Sequence, residues 1–197
     1  MSETDVFLQA RSESIPEIFW SDLEARPFSN CILCKSEFLV TKEPYLIEKA
    51  VQGFNGKAIT NTIFEYAVCL SCADQMQVKL SVSSRERIAH YFQSQVDFIE
   101  RAKRLKEEPL EDWLENCLIH QESVNRDGEC QIYALCQGDQ LLVQEFPYMI
   151  RAEALDEIME LISAETLEQL DDFKNDLFDG PPELKELFEK GGPKVLI

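Results

Sequence analysis

Four cysteines carry the clearest chemistry in the chain. Cys31 and Cys34, in SNCILCKSEF, form one CxxC pair, and Cys69 and Cys72, in YAVCLSCADQM, form another. A two-residue spacer lets a tight turn aim both sulfurs at one ion, and two such pairs complete the tetrahedron of thiolates that Zn²⁺ accepts at about 2.3 Å. Iron takes the same tetrahedral sulfur set, so chemistry favours zinc without making it the sole fit. The expected cofactor is one structural Zn²⁺ on Cys31, Cys34, Cys69 and Cys72. Neither pair lies in the βαβ setting of a thioredoxin-like redox motif.

Other chemical candidates are weaker. Cys117 and His120 have a ligand-like spacing, but Cys130 and Cys136 sit six residues apart on one expected strand, about 20 Å from each other. They cannot share an ion, so Cys117, Cys130 and Cys136 read as free thiols. His90 falls on the face of an amphipathic helix and reads as a surface or packing residue. Asp171, Asp172, Asp176 and Asp179 lack the D-x-D-x-D-G order of a calcium loop and read as a solvated face. None of the 7 glycines belongs to a GxGxxG or GxxxxGK[ST] phosphate cradle, and no GxSxG nucleophile motif occurs.

Between the cysteine pairs, residues 45–51 and 59–66 are rich in β-branched and aromatic side chains. Gly53, Asn55 and Gly56 supply a turn, which predicts a β-hairpin. Residues 73–78 continue from the second pair as a helix. Knuckle, hairpin and helix in this order resemble a treble-clef zinc domain over residues 28–80. That resemblance implies Cys31 and Cys34 at the knuckle and Cys69 and Cys72 at the helix start. Residues 35–68 contain no histidine of the kind treble-clef nucleases use, and four ligands fall short of the eight in RING and LIM domains. The resemblance therefore implies a single structural zinc, and it names an architecture rather than an activity.

Around this module, residues 14–24 predict a short helix with Ser14 as cap, its face formed by Ile15, Ile18, Phe19 and Leu23. Residues 84–107 predict one long amphipathic helix. Ser83 and Glu86 make a capping box, and Ile88, Tyr91, Phe92, Val96, Ile99, Ala102 and Leu105 lie on one face. Residues 110–117 are expected to be helical. Residues 130–136 and 141–145, on either side of Gly138-Asp139, predict a second hairpin. Helices are expected at 152–162, 164–178 and 183–190, before an apolar end at Val195-Leu196-Ile197.

The chain has 197 residues, with 37 acids against 19 bases and a net charge of −18. Hydrophobic residues make up 45% and charged residues 28%, which fits a globular protein and excludes wholesale disorder. The charge is uneven. Residues 108–197 hold 22 acids and 6 bases, whereas residues 28–80 hold five of each. That shift, with Pro109, marks an expected boundary near 107–110. The expected organisation is a docking segment at 1–27, a zinc module with its long helix at 28–107, and an acidic α+β region at 108–197. The two main parts are expected to meet through the 84–107 helix.

The fold class is α+β. With no secretory signal at its start and no apolar run long enough for a bilayer, the chain is expected to be cytoplasmic, with no membrane contact. The expected function is a non-catalytic zinc-containing binding or adaptor protein with a protein partner. One alternative is a hydrolase using the Asp-rich face or His90 and His120. Another is nucleic-acid binding through the basic cluster Arg101, Lys103, Arg104 and Lys106, which the overall acidity disfavours.

Overall fold

Strand β2 (Pro44–Gln52) organises the molecule. Its segment PYLIEKAVQ carries apolar residues on both pleat faces, the pattern of a strand covered on both sides. In this computed structural model, which describes residues 11–124, 128–163 and 166, β2 pairs antiparallel along both edges. On one edge lies β3 (Asn61–Cys69), from Tyr45 opposite Cys69 to Gln52 opposite Asn61. On the other lies β4 (Glu129–Gln137), from Pro44 opposite Gln137 to Gln52 opposite Glu129.

The far edge of β4 is shared by two short strands. β5 (Gln140–Val143) pairs with Cys136 and Gln137, while β6 (Tyr148–Arg151) pairs with residues from Cys130 to Tyr133. β1 (Arg11–Ser14) adds to β5, and the strand order is β1-β5-β4-β2-β3 with β6 beside β4. One sheet therefore draws its strands from both sides of residues 107–110. The two expected parts meet first through β2–β4 pairing, with helical contacts as an addition.

Both expected hairpins form. Asn55 Oδ1 accepts hydrogen bonds from the amides of Lys57 and Ala58 within the β2–β3 loop. At the β4–β5 turn, Gly138 has φ +60°, a value that costs a glycine little and suits the first position of a two-residue hairpin turn.

The helices depart further from expectation. Residues 14–24 do not form a helix: β1 ends at Ser14, and only a 3₁₀ turn at Glu17–Phe19 follows. Trp20 is extended. Its carbonyl accepts from Lys49 Nζ at 2.8 Å, a bond made by a chain that leaves the turn rather than continuing it. Ile15 and Phe19 are buried as expected, whereas Leu23 is 88% exposed.

The expected long helix is two. α3 (Val82–Gln95) and α4 (Phe98–Leu105) are separated at Val96 and Asp97, after α1 (Phe38–Thr41) and α2 (Leu70–Lys79) earlier in the chain. Asp97 breaks the run because its side chain accepts from the Glu100 amide and caps a new helix. The break also turns Ile99 out to 66% exposure. At the start of α3 the cap is Ser81, accepting from the Ser84 amide, instead of Ser83. Two shorter helices follow, α5 (Leu110–Leu114) and α6 (Ala152–Glu160). The expected helices at 164–178 and 183–190, the Asp171–Asp179 stretch and the apolar end lie outside the described residues, apart from the helical Thr166.

β2 contributes buried side chains to the core from both of its faces. Tyr45, Ile47, Lys49 and Val51 point to one face, and Leu46, Glu48 and Ala50 to the other. Fully burying a residue such as Ile47 contributes roughly 1.5–3 kcal/mol, and Phe38 stacks on Tyr45 with ring centroids 3.7 Å apart.

Candidate metal centre

Two local structures deliver the four thiols. Cys31 and Cys34 lie on a tight turn closed by amide-to-carbonyl bonds from Lys35 to Cys31 and from Cys31 to Ser36. Lys35 takes a left-handed backbone there, with φ +61°. This turn is fastened to the end of β3, where the Ile32 amide donates to the Ala67 carbonyl at 2.9 Å. Cys69 is the last residue of β3 and the N-cap of α2, and Cys72 sits in the first turn of that helix.

The result is a cluster of four sulfurs all within 4.8 Å of one another. Cys34 Sγ and Cys69 Sγ are 3.7 Å apart. Sulfurs held at about 2.3 Å around one tetrahedral ion would be separated by roughly 3.8 Å, so this edge has the right length. Cys31, Cys69 and Cys72 are buried and Cys34 is exposed. The cluster can hold a metal ion such as zinc, with all four positions filled by protein.

Its electrostatics suit a cation. Burial pushes the Cys69 thiol up to about 11, and raises Cys72 further. Cys34 is held down to about 6, first by the Ser36 hydroxyl at 3.1 Å and then by the Ser36 amide. Buried thiols gain no charge without a counter-ion, and a metal at their centre supplies it. The amide of Cys69 also donates to Cys31 Sγ at 3.4 Å. Beside the cluster, the Glu43 carboxylate accepts from both the amide and the hydroxyl of Ser71, closing the exposed start of α2.

The chain matches no protein-family model, no curated protein and no solved structure.

The remaining sequence candidates are dispersed. Cys117, Cys130 and Cys136 are free and buried, with Cys130 and Cys136 at opposite ends of β4. His90 is exposed on α3. His120 does not join it. Instead, His120 Nε2 lies 3.1 Å from Glu157 Oε1, while the Tyr91 hydroxyl donates to Glu157 Oε2 at 2.5 Å. This contact ties α3 and α6 to the loop after α5.

The basic cluster is also divided. Arg101 is buried, donating to the carbonyls of Glu145, Trp113 and Pro147 and stacking 4.8 Å above the Trp113 ring. Burial, with Arg104 nearby, lowers it to about 10. Its guanidinium is committed to the fold and is not presented to a phosphate. Among the described residues, no helix is long and apolar enough to cross a membrane.

One group was not singled out by sequence reasoning. Glu48 is 4% exposed, and its Oε2 accepts from the Tyr66 hydroxyl at 2.5 Å. Burial pushes its carboxyl up to about 8, against the lowering effect of Tyr66. The signal was present in Glu48-Lys49. Adjacent charges in a strand with apolar residues on both faces cannot both reach solvent.

Proposed function

We propose that Cys31, Cys34, Cys69 and Cys72 bind one structural Zn²⁺ in a treble-clef-like module over residues 28–80, and that the protein is a non-catalytic binding or adaptor protein acting on a protein partner. The observation that carries this reading is the sulfur cluster, with its 3.7 Å edge and four cysteine ligands. A shell closed by four protein ligands leaves no position for a reacting water, which favours a structural ion over a catalytic one. What supports the module reading is that the turn carrying Cys31 and Cys34, the β2–β3 hairpin and α2 follow one another along the chain, with the hairpin also part of a six-stranded sheet. The chemistry the ion supplies is a cross-link between the 31–34 turn and the start of α2.

Elemental analysis of the purified full chain tests this directly. The expected result is one zinc per chain. Chelation, or Cys69→Ser, is expected to lower the melting temperature by more than ~10 °C, because metal binding and folding are coupled. A chain that carries no zinc and melts unchanged in chelator overturns the reading, and iron at the same stoichiometry reassigns the ion.

A further inference from the structure

Behind the metal centre, on the face of the sheet that α2 covers, lies a small pocket with an unusual floor. It has a volume of about 20 Å³, room for one water-sized group. Leu46, Val68, Ala73 and Met76 form its apolar walls, and Leu46, Ala73 and Met76 are only half-buried, so they mark its mouth. Glu48, Tyr66 and Tyr133 form the inner end.

These three residues are set by strand register. Glu48 lies directly opposite Tyr66 on β3 and Tyr133 on β4, and Tyr133 lies opposite Tyr148 on β6. Glu48 Oε2 is satisfied by Tyr66, but Oε1 is buried without a hydrogen-bond partner. The Tyr133 hydroxyl is turned to Gln131 Oε1 at 2.6 Å and does not serve it. A buried carboxyl oxygen left unpaired costs free energy, and Glu48 lines the pocket together with Tyr66 and Tyr133.

We propose that this pocket receives the terminal ammonium of a primary alkylamine chain, such as a lysine side chain or a free alkylamine, with Glu48 as counter-charge. The cavity holds only the water-sized ammonium head, the half-buried Leu46, Ala73 and Met76 meet the methylene groups at the mouth, and the unpaired oxygen takes an N–H donor. The titratable groups facing Glu48 across the sheet are Tyr66, Tyr133 and Tyr148, while α2 presents only Ala73 and Met76 to the pocket. No cation among the residues lining the pocket already neutralises the acid. Because burial keeps the empty carboxyl protonated at neutral pH, binding converts COOH and RNH₃⁺ into a COO⁻···H₃N⁺R pair. One proton is released to solvent and no other bond changes.

Calorimetric titration of the full chain with n-butylammonium chloride, using n-butanol as the neutral control, tests the site. Saturable binding is expected for the ammonium and not for the alcohol. Comparison of buffers should show close to one proton released at pH 7 and a release approaching zero at pH 9. Glu48→Gln is expected to weaken binding by ~10-fold or more. Ala73→Phe, which plugs the mouth and leaves the carboxyl intact, is expected to abolish it. It keeps the test decisive should the Glu48 variant fold poorly. Titration with Nα-acetyl-lysine N-methylamide separates the sources: tighter binding than n-butylammonium assigns a lysine side chain, and weaker binding assigns a free amine. Equal binding of n-butanol, unchanged affinity in Glu48→Gln or Ala73→Phe, or no saturable binding overturns the proposal and leaves a cavity for water alone.

Discussion

Glu48 and Lys49 are neighbours on the central strand, both buried, and they are treated oppositely. Lys49 is 1% exposed, yet its Nζ meets the Trp20 carbonyl and Asp22 Oδ1 at 2.8 Å each and Glu65 Oε2 at 2.9 Å. Glu48, one residue away on the other face, has a single hydroxyl for company. One face closes its charge with ligands drawn from the N-terminal segment and β3. The other leaves its acid uncharged and half satisfied. Charge burial is thus tolerated in this sheet by two routes, full pairing on one side and neutralisation on the other. Only the second leaves capacity for another molecule.

Removing the paired member should be costliest. Lys49→Met leaves the largely buried Glu65 without its cation and releases Trp20. A loss of about 3–5 kcal/mol is expected, read as a fall in melting temperature of at least ~6 °C. A smaller change would mean that Asp22 and Glu65 find other partners.

Glu48 should show itself through pH. The unfolded carboxyl ionises near 4.5, whereas the folded one holds its proton until about 8. Between those values the folded state binds more protons, so stability contributed by this group falls as pH rises and levels off above 8. The wild type is expected to lose roughly 3 kcal/mol between pH 5 and 8 from this source, and Glu48→Gln to remove that slope. Parallel pH profiles for the two proteins would contradict a neutral Glu48.

Asp22 should matter least. Burial is the largest influence and pushes its carboxyl up, but the hydrogen bonds from Lys49 and Thr62 and the charge of Lys49 together outweigh it and hold the carboxyl below its ordinary value. Its side chain is 56% exposed, so solvent screens the pair, and Asp22→Asn is expected to cost about 1 kcal/mol or less in denaturant melts.

What the sequence made visible was local. The CxxC pairs specify a cluster because their spacing restricts where sulfurs can point, and the structure gathers those four residues. Asn55-Gly56 and Gly138-Asp139 signalled both hairpins because turn chemistry is written in adjacent residues. The break at Asp97 was missed because helical periodicity continues in phase through residues 96–99, masking a competing cap. Leu23 was placed on a helix face by the same periodicity, whereas Lys49 holds Trp20 in extended form. The pairing of β2 with β4 has no local signature at all, since neither strand marks its partner. The burial of Glu48 follows from that pairing, and its one local trace is the adjacent charge of Lys49 in a strand apolar on both faces.

The distance in sequence between β2 and β4 also bears on how the chain emerges during synthesis. Residues 44–52 are made long before residues 129–137. The β2–β3 hairpin and all four clustered cysteines are therefore complete while one edge of the future central strand has no partner. An open, largely apolar strand edge is a template for pairing with other chains. Closing it requires a loop of nearly eighty residues, a slow step compared with forming a hairpin. Metal capture at residues 31–72 would precede that closure, fastening β3 while β2 still awaits its second neighbour.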